Sequence, residues 1–195
     1  MKITLVGDSI VDNMKDYLHW FYGLHGHSTE DMFYPGTAPC DWFTPVQSMA
    51  GDMAMVLFMG NMFTACTQGR GAVQQVYEED INHLADILAM MGKPVLWAGP
   101  PGFVGTTESA NWRLPIINAA AIRLGQHYDN SAQVLRQNYG GQTRLYTSWM
   151  PCQQNDRDQG WCWEPYGMVT IRQPDAVHLA DSGKRRLAER IVNVT

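Results

Sequence analysis

Two hydrophobic periods alternate along the chain. Apolar runs at residues 3–6, 54–59 and 94–98 have the length and composition of buried strands. Residues 31–34 and 144–148 read as two more. Between these runs, apolar positions recur at helical spacing. Met14, Leu18 and Phe21 mark a helix over about 11–22, and Ile81, Leu84, Ala85 and Leu88 mark one over 73–91. Ile117, Ala121 and Leu124 predict a helix over 114–127, with Pro115 in its first turn, and Leu187 and Ile191 predict one over 181–194, capped by Asp181 or Ser182. Gly23 and Gly92 read as helix stops. Strands alternating with long helices predict an α/β fold: a three-layer α/β/α sandwich around a mostly parallel five-stranded sheet, with residues 1–195 forming one domain. The uniformly apolar run at 54–59 suits a central strand covered on both faces. Residues 151–170 read as a long loop.

Composition agrees with a packed domain. The 195 residues are 45% hydrophobic and 17% charged, so the chain can bury a sizeable core. A formal net charge of −5 argues against a nucleic-acid partner, whose phosphates call for clustered Lys and Arg. The one tight basic cluster, Lys184-Arg185-Arg186, reads as a solvated face near a helix end. No apolar run reaches the roughly 18 residues of a membrane span.

Other clusters resemble sites without the parts a site needs. His19, His25 and His27 suggest a metal, but the latter two sit in a Gly-bounded loop without supporting carboxylates, so a surface loop is expected. Residues 155–160 (NDRDQG) have the flavour of a calcium loop but lack its distal bidentate Glu. No metal or organic cofactor is therefore expected. Cys40, Cys66, Cys152 and Cys162 show no CxxC spacing. Either they pair as Cys152–Cys162 across a polar loop and Cys40–Cys66 across neighbouring strand ends, or they are four reduced, partly buried thiols. Paired cysteines would put the protein in an oxidising, extracytoplasmic compartment. Reduced ones would suit the cytoplasm, as would the lack of a visible signal peptide before the first strand.

The chemistry gathers at element ends on one side of such a sheet. Ser9 follows the first strand in Gly7-Asp8-Ser9-Ile10. Gly36 follows the second, Asn61 follows the third in Gly60-Asn61, and Asp175-Ala176-Val177-His178 precedes the last helix. Taken alone, Asp8 and Ser9 read as a helix cap. Together the residues supply what acyl transfer by serine requires: a nucleophile, a base, a group to orient the base, and donors for an oxyanion.

In the order and spacing of these blocks, over nearly its whole length, the sequence resembles the SGNH, or GDSL, hydrolases. The resemblance implies their flavodoxin-like fold and a serine esterase activity without cofactor. It implies Ser9 as nucleophile, His178 as general base and Asp175 as the group that holds the imidazole. It also implies an oxyanion hole made of the Ser9 and Gly36 backbone N–H groups and the Asn61 side-chain amide. Two departures stand out: Met62 follows Asn61 where many members have Asp, and the residues around Gly36 are less regular than usual. The stretch 35–42 and the late cysteine pair look most like SGNH domains that act on acylated sugars. Trp42, Trp161, Trp163 and Tyr166 fall in loops near the expected site, and Trp42 and Trp163 are candidates to stack on a substrate. The expected substrate is a small, acetyl-type ester, on a carbohydrate or another small molecule. The competing expectations are acyl transfer to a sugar hydroxyl, and a carbohydrate-binding domain on a catalytically weak scaffold.

Overall fold

The computed structural model describes residues 1–61, 63–139 and 143–195. Its centre is a five-stranded, wholly parallel sheet in the order β2-β1-β3-β4-β5. Strand β1 is Lys2–Gly7, β2 is Ser28–Phe33, β3 is Met53–Leu57, β4 is Val95–Ala98 and β5 is His127–Asp129. The helices are α1 (Ser9–Leu24), α2 (Val73–Met90), α3 (Arg113–Arg123), α4 (Gln154–Asp158) and α5 (Asp181–Val192).

Strand periodicity divides the core in two. Side chains alternate across a strand. Met53, Met55 and Leu57 of β3 therefore join Ile10, Met14 and Leu18 of α1 and Leu187 and Ile191 of α5 on one face. Ala54, Val56 and Phe58 meet Tyr77, Ile81, Leu84 and Leu88 of α2 and Ile117 and Ala121 of α3 on the other. The expected sandwich holds, and every residue of β3 is buried, as its apolar run required.

Ala180, not Asp181 or Ser182, takes the N-cap position of α5, with no side-chain cap bond. Four further expectations need correcting. The fifth strand is β5, not 144–148. The third long helix ends at Arg123 because Gly125, at φ +63°, turns the chain back, and His127–Asp129 then pairs with Leu96–Ala98. Residues 144–148 lie largely in β7 (Thr143–Tyr146), which pairs antiparallel with β6 (Arg136–Tyr139) outside the main sheet. Gly23 does not stop α1, which runs to Leu24; Gly26, at φ +73°, makes the turn.

The third correction is that 151–170 is not one loop. It holds α4 and the second strand of a hairpin, β8 (Trp149–Pro151) with β9 (Met168–Thr170). The fourth is that Arg185 and Arg186 are buried, not solvated. Asp156 on α4 lies over α5 and accepts from Arg186 Nη2 at 2.6 Å and Ser182 Oγ at 2.6 Å, and Arg185 bonds Gln153 and Glu189. These bonds commit the Asp156 carboxylate of the calcium-like stretch to protein donors.

The cysteines pair as Cys40–Cys66 and Cys152–Cys162. Among the described residues no helix is long and apolar enough to cross a membrane.

Candidate active site

The strand-to-helix turn at Gly7-Asp8-Ser9 is held by packing that only glycine permits. A Cβ at Gly7 would meet Val11 Cγ2 at 2.3 Å and Leu57 O at 2.5 Å. Asp8 is fully buried and caps α1, its Oδ1 accepting the Ile10 N–H at 3.0 Å. Its Oδ2 accepts the N–H of Met59 at 2.7 Å and of Gly60 at 3.3 Å. Asp8 thus ties the Ser9 turn to the turn that carries Asn61. Gly60, at φ +85°, lies against the Tyr77 ring, where a Cβ would clash at 2.5 Å.

Burial pushes the Asp8 carboxyl up to about 6, with the three N–H bonds opposing it and the nearby Arg113 opposing it more weakly. The folded state therefore holds this proton more tightly than the unfolded chain does. Its contribution to stability is complete below pH 3.8 and is lost as pH rises through 6. Between pH 4 and 7 the wild type should lose about 2 kcal/mol from this group, and Asp8→Asn should flatten that slope. Urea denaturation of both proteins across that range checks it; equal slopes would refute it.

Ser9 is the first residue of α1, so its N–H is one of those a helix start leaves without an intrahelical acceptor. The hydroxyl is half-buried and has no hydrogen-bond partner among the described residues. Gly36, at φ +83°, sits in the loop after β2. The next two N–H groups are committed, Thr37 to Tyr34 O and Ala38 to Asp41 Oδ2, whereas the Gly36 N–H has no acceptor among the described residues.

The Thr37 hydroxyl donates to Tyr34 O at 2.7 Å and lies 3.4 Å from Gly7 O, so this loop reaches the end of β1. Asn61 Nδ2 donates one proton to Thr37 O at 2.8 Å, which fixes the amide and leaves its second N–H. The Cys40–Cys66 bridge joins the same two loops covalently. Trp42 packs on the second core cluster and donates Nε1 to Thr37 Oγ1 at 3.1 Å, anchoring the Gly36 loop. Met62, the departure after Asn61, lies outside the described residues.

The other half of the site is a tight turn. Asp175 Oδ1 accepts the N–H groups of Val177 and His178, both at 2.9 Å, and Oδ2 meets His178 Nδ1 at 2.6 Å. Ala176 adopts φ +59° to allow this. The His178 hydrogen bond, then the Val177 N–H, pull the Asp175 carboxyl down to about 2.

Three residues without a local sequence signal hold this turn. The buried Arg172 guanidinium donates to Val177 O at 2.5 Å and Gly102 O at 2.8 Å. Gln173 closes the base of the turn, its N–H on His178 O and its Nε2 on Leu179 O. Asn13 Oδ1 accepts the Leu179 N–H at 2.9 Å. Asn13 lies four residues after Ser9, on the same face of α1. This bond therefore sets the Asp175–His178 turn beside the start of that helix. No hydrogen bond joins Ser9 Oγ to His178 among the described residues; such bonds are often long before substrate binds.

Of the remaining aromatic candidates, Trp161 packs edge-on against Tyr17 of α1 as a loop anchor, and Trp163 is exposed beside Tyr166. The histidines do not converge: His19 pairs with Asp31 at 2.8 Å on the surface.

The parallel sheet β2-β1-β3-β4-β5, with helices on both faces, is an α/β/α fold shared with solved esterases and lipases. The chain superposes on the crystal structure of an acetyl xylan esterase, AlAXEase, with a TM-score of 0.66 over 100% of both chains at 13% identity. An acetylxylan esterase from Geobacillus stearothermophilus gives 0.63 over 98% of this chain and 92% of that one, also at 13% identity. A GDSL-like lipase from Bacteroides thetaiotaomicron gives 0.62 over 99% and 86% at 12% identity. No protein-family model and no curated protein matches the sequence.

Proposed function

We propose that the protein is a serine ester hydrolase that removes small acyl groups, acetyl above all, from carbohydrates through an acyl-Ser9 intermediate. The observation that carries this reading is the Asp175–His178 pair, bonded at 2.6 Å and tied through Asn13 to the helix that begins at Ser9. His178 Nε2 takes the Ser9 proton as Oγ attacks the ester carbonyl carbon. The negative charge passes to the carbonyl oxygen, which the Ser9 N–H, the Gly36 N–H and the second Asn61 amide proton stabilise. Collapse breaks the bond to the leaving alcohol, which receives the proton from His178. Water, deprotonated by His178, then attacks the acyl carbon; the C–Oγ bond breaks, Ser9 Oγ takes the proton back from His178, and the acid leaves. Asp175 keeps Nδ1 protonated throughout, and the chemistry needs no metal or organic cofactor.

The acetyl and carbohydrate parts of the reading draw on the two acetylxylan esterases of like fold and on Trp163 as an exposed stacking surface. Trp42 would act at one remove, by fixing the Gly36 loop. The two disulfides favour an oxidising, extracytoplasmic setting.

A p-nitrophenyl ester series from acetate to octanoate, run beside acetylated xylo-oligosaccharides, tests this. Turnover should be highest with acetate, and acetate should be released from the saccharide. No hydrolysis of any ester, or a clear preference for octanoate, would defeat the reading. In the same assay Asn61→Ala should lower kcat by about 10²–10³-fold, the usual loss for one oxyanion donor.

A further inference from the structure

The β8–β9 hairpin carries a second feature, which the hydrolytic chemistry does not use. Trp149, Trp163 and Tyr166 are 41%, 55% and 68% exposed and lie side by side, with ring centroids 5.6 Å and 5.0 Å apart. Clustered exposed aromatics on a folded domain mark an interaction surface. The turn beneath them is braced. The Cys152–Cys162 bridge closes its base, Trp163 N–H donates to Met168 O at 2.7 Å, Cys152 N–H donates to Gly167 O at 2.9 Å, and Arg157 pairs with Glu164. Rings on so rigid a base lose little freedom when a ligand docks.

A groove of about 380 Å³ runs from Trp149 past Ser148, Thr170 and Gln173 to Pro174 and Ala176. The last two flank Asp175, so the groove joins the aromatic cluster to the turn that bears His178. The volume lies in the range of small-molecule sites. The polar groups along this path are hydroxyls and an amide. The buried Arg172 guanidinium at its edge donates through Nη1 to Val177 O and through Nη2 to Gly102 O, leaving only Nε without a partner among the described residues. Apolar ring faces beside neutral hydrogen-bonding groups match a pyranose, with its C–H faces and hydroxyl rim, better than an anionic headgroup. The rings are also mutually tilted, by 40° between Trp149 and Trp163 and by 56° between Trp163 and Tyr166. They cannot lie flat on a crystalline surface. They suit a chain whose successive sugar rings are rotated.

We propose that Trp149, Trp163 and Tyr166, with this groove, form a subsite for a soluble, neutral, twisted saccharide chain that delivers its esterified ring to Ser9. The proposal builds on the esterase reading for its purpose, but binding to the subsite needs no ester.

The test is calorimetric titration of unacetylated xylohexaose into the full chain. Wild type should bind. Trp163→Ala should raise Kd by about three- to tenfold, the usual range for one aromatic contact, while Trp163→Phe stays near wild type. Circular dichroism and thermal melting confirm the fold of each variant. Should Trp163→Ala not fold, Tyr166→Ala on the exposed turn gives the same comparison. Four results would overturn the proposal: no binding by wild type, equal binding by the alanine variant, stronger retention on phosphatidylcholine vesicles or microcrystalline cellulose than on xylohexaose, or a concentration-dependent dimer abolished by Trp163→Ala. Ester hydrolysis without xylohexaose binding removes the subsite alone. Binding without hydrolysis of any ester removes the enzymatic reading alone.

Discussion

Ser9→Ala should abolish nearly all hydrolysis of p-nitrophenyl acetate, lowering kcat by about 10⁴–10⁶-fold, as loss of a serine nucleophile does elsewhere. The structure makes this a clean test. The Ser9 hydroxyl has no hydrogen-bond partner among the described residues, so the substitution leaves no buried polar group unpaired. Asp8, not Ser9, caps α1, and alanine is a better helix former than serine. The thermal midpoint should therefore stay within a few degrees of wild type while activity vanishes. The variant should also fail to react with a fluorophosphonate probe that labels the wild type. Near-wild-type turnover would mean that the nucleophile lies elsewhere. Lost turnover with lost folding would mean that the hydroxyl supports the fold as well as the chemistry.

Such a test could be designed from the sequence because the candidate site is written locally. Ser9 and Asn61 each follow a strand whose apolar run is legible, and Gly36 follows the short, largely polar β2, with a turn residue at each strand end. Asp175 and His178 are three residues apart, within one turn. Asp8 reads correctly as the residue that shapes the turn, although nothing local shows that it also gathers the Met59 and Gly60 N–H groups.

The groups that hold the halves together are another matter. The Arg172 acceptor on Gly102 is 70 positions away in the chain, and the Asn13 donor on Leu179 is 166 away. Nothing in the residues around Arg172, Gln173 or Asn13 names these distant partners. The same reasoning explains the basic cluster. Arg186 looks solvated until α4, itself too short to show helical periodicity, brings Asp156 over it. Strand β5 was hidden for a related cause: it is three residues long, polar, and fused in pattern to the helix before it, and only Gly125 separates them. The cysteine pairing followed from position, but the redox state did not. Thiol and disulfide leave the same letters, and only the fold, which brings Cys40 to Cys66 and Cys152 to Cys162, separates the two readings.

Asp175→Asn should lower kcat by about 10⁴-fold with little change in KM, and the turn's hydrogen bonds say why. Asp175 uses both oxygens: Oδ1 on the Val177 and His178 N–H groups, Oδ2 on His178 Nδ1. Asparagine has one oxygen. The two backbone N–H donors claim it, which turns the NH2 group toward His178. Nδ1 must then accept, the ring proton moves to Nε2, and the histidine can no longer take the Ser9 proton.

The charge goes as well. Asp175 is pulled down to about 2, chiefly by its bond to His178, so it is ionised throughout neutral pH and able to stabilise the imidazolium as it forms. A folded-state value below the ordinary 3.8 means that its stabilising contribution is present above pH 3.8 and disappears as pH falls toward 2. Since the side chain is almost half exposed, that contribution is small, and the variant should melt close to wild type. An activity loss of four decades in a protein of unchanged stability would separate orientation of the base from support of the fold. Activity within tenfold of wild type would show that the turn, not the carboxylate, sets the histidine, and Asn13, Arg172 and Gln173 would then be the residues to vary next.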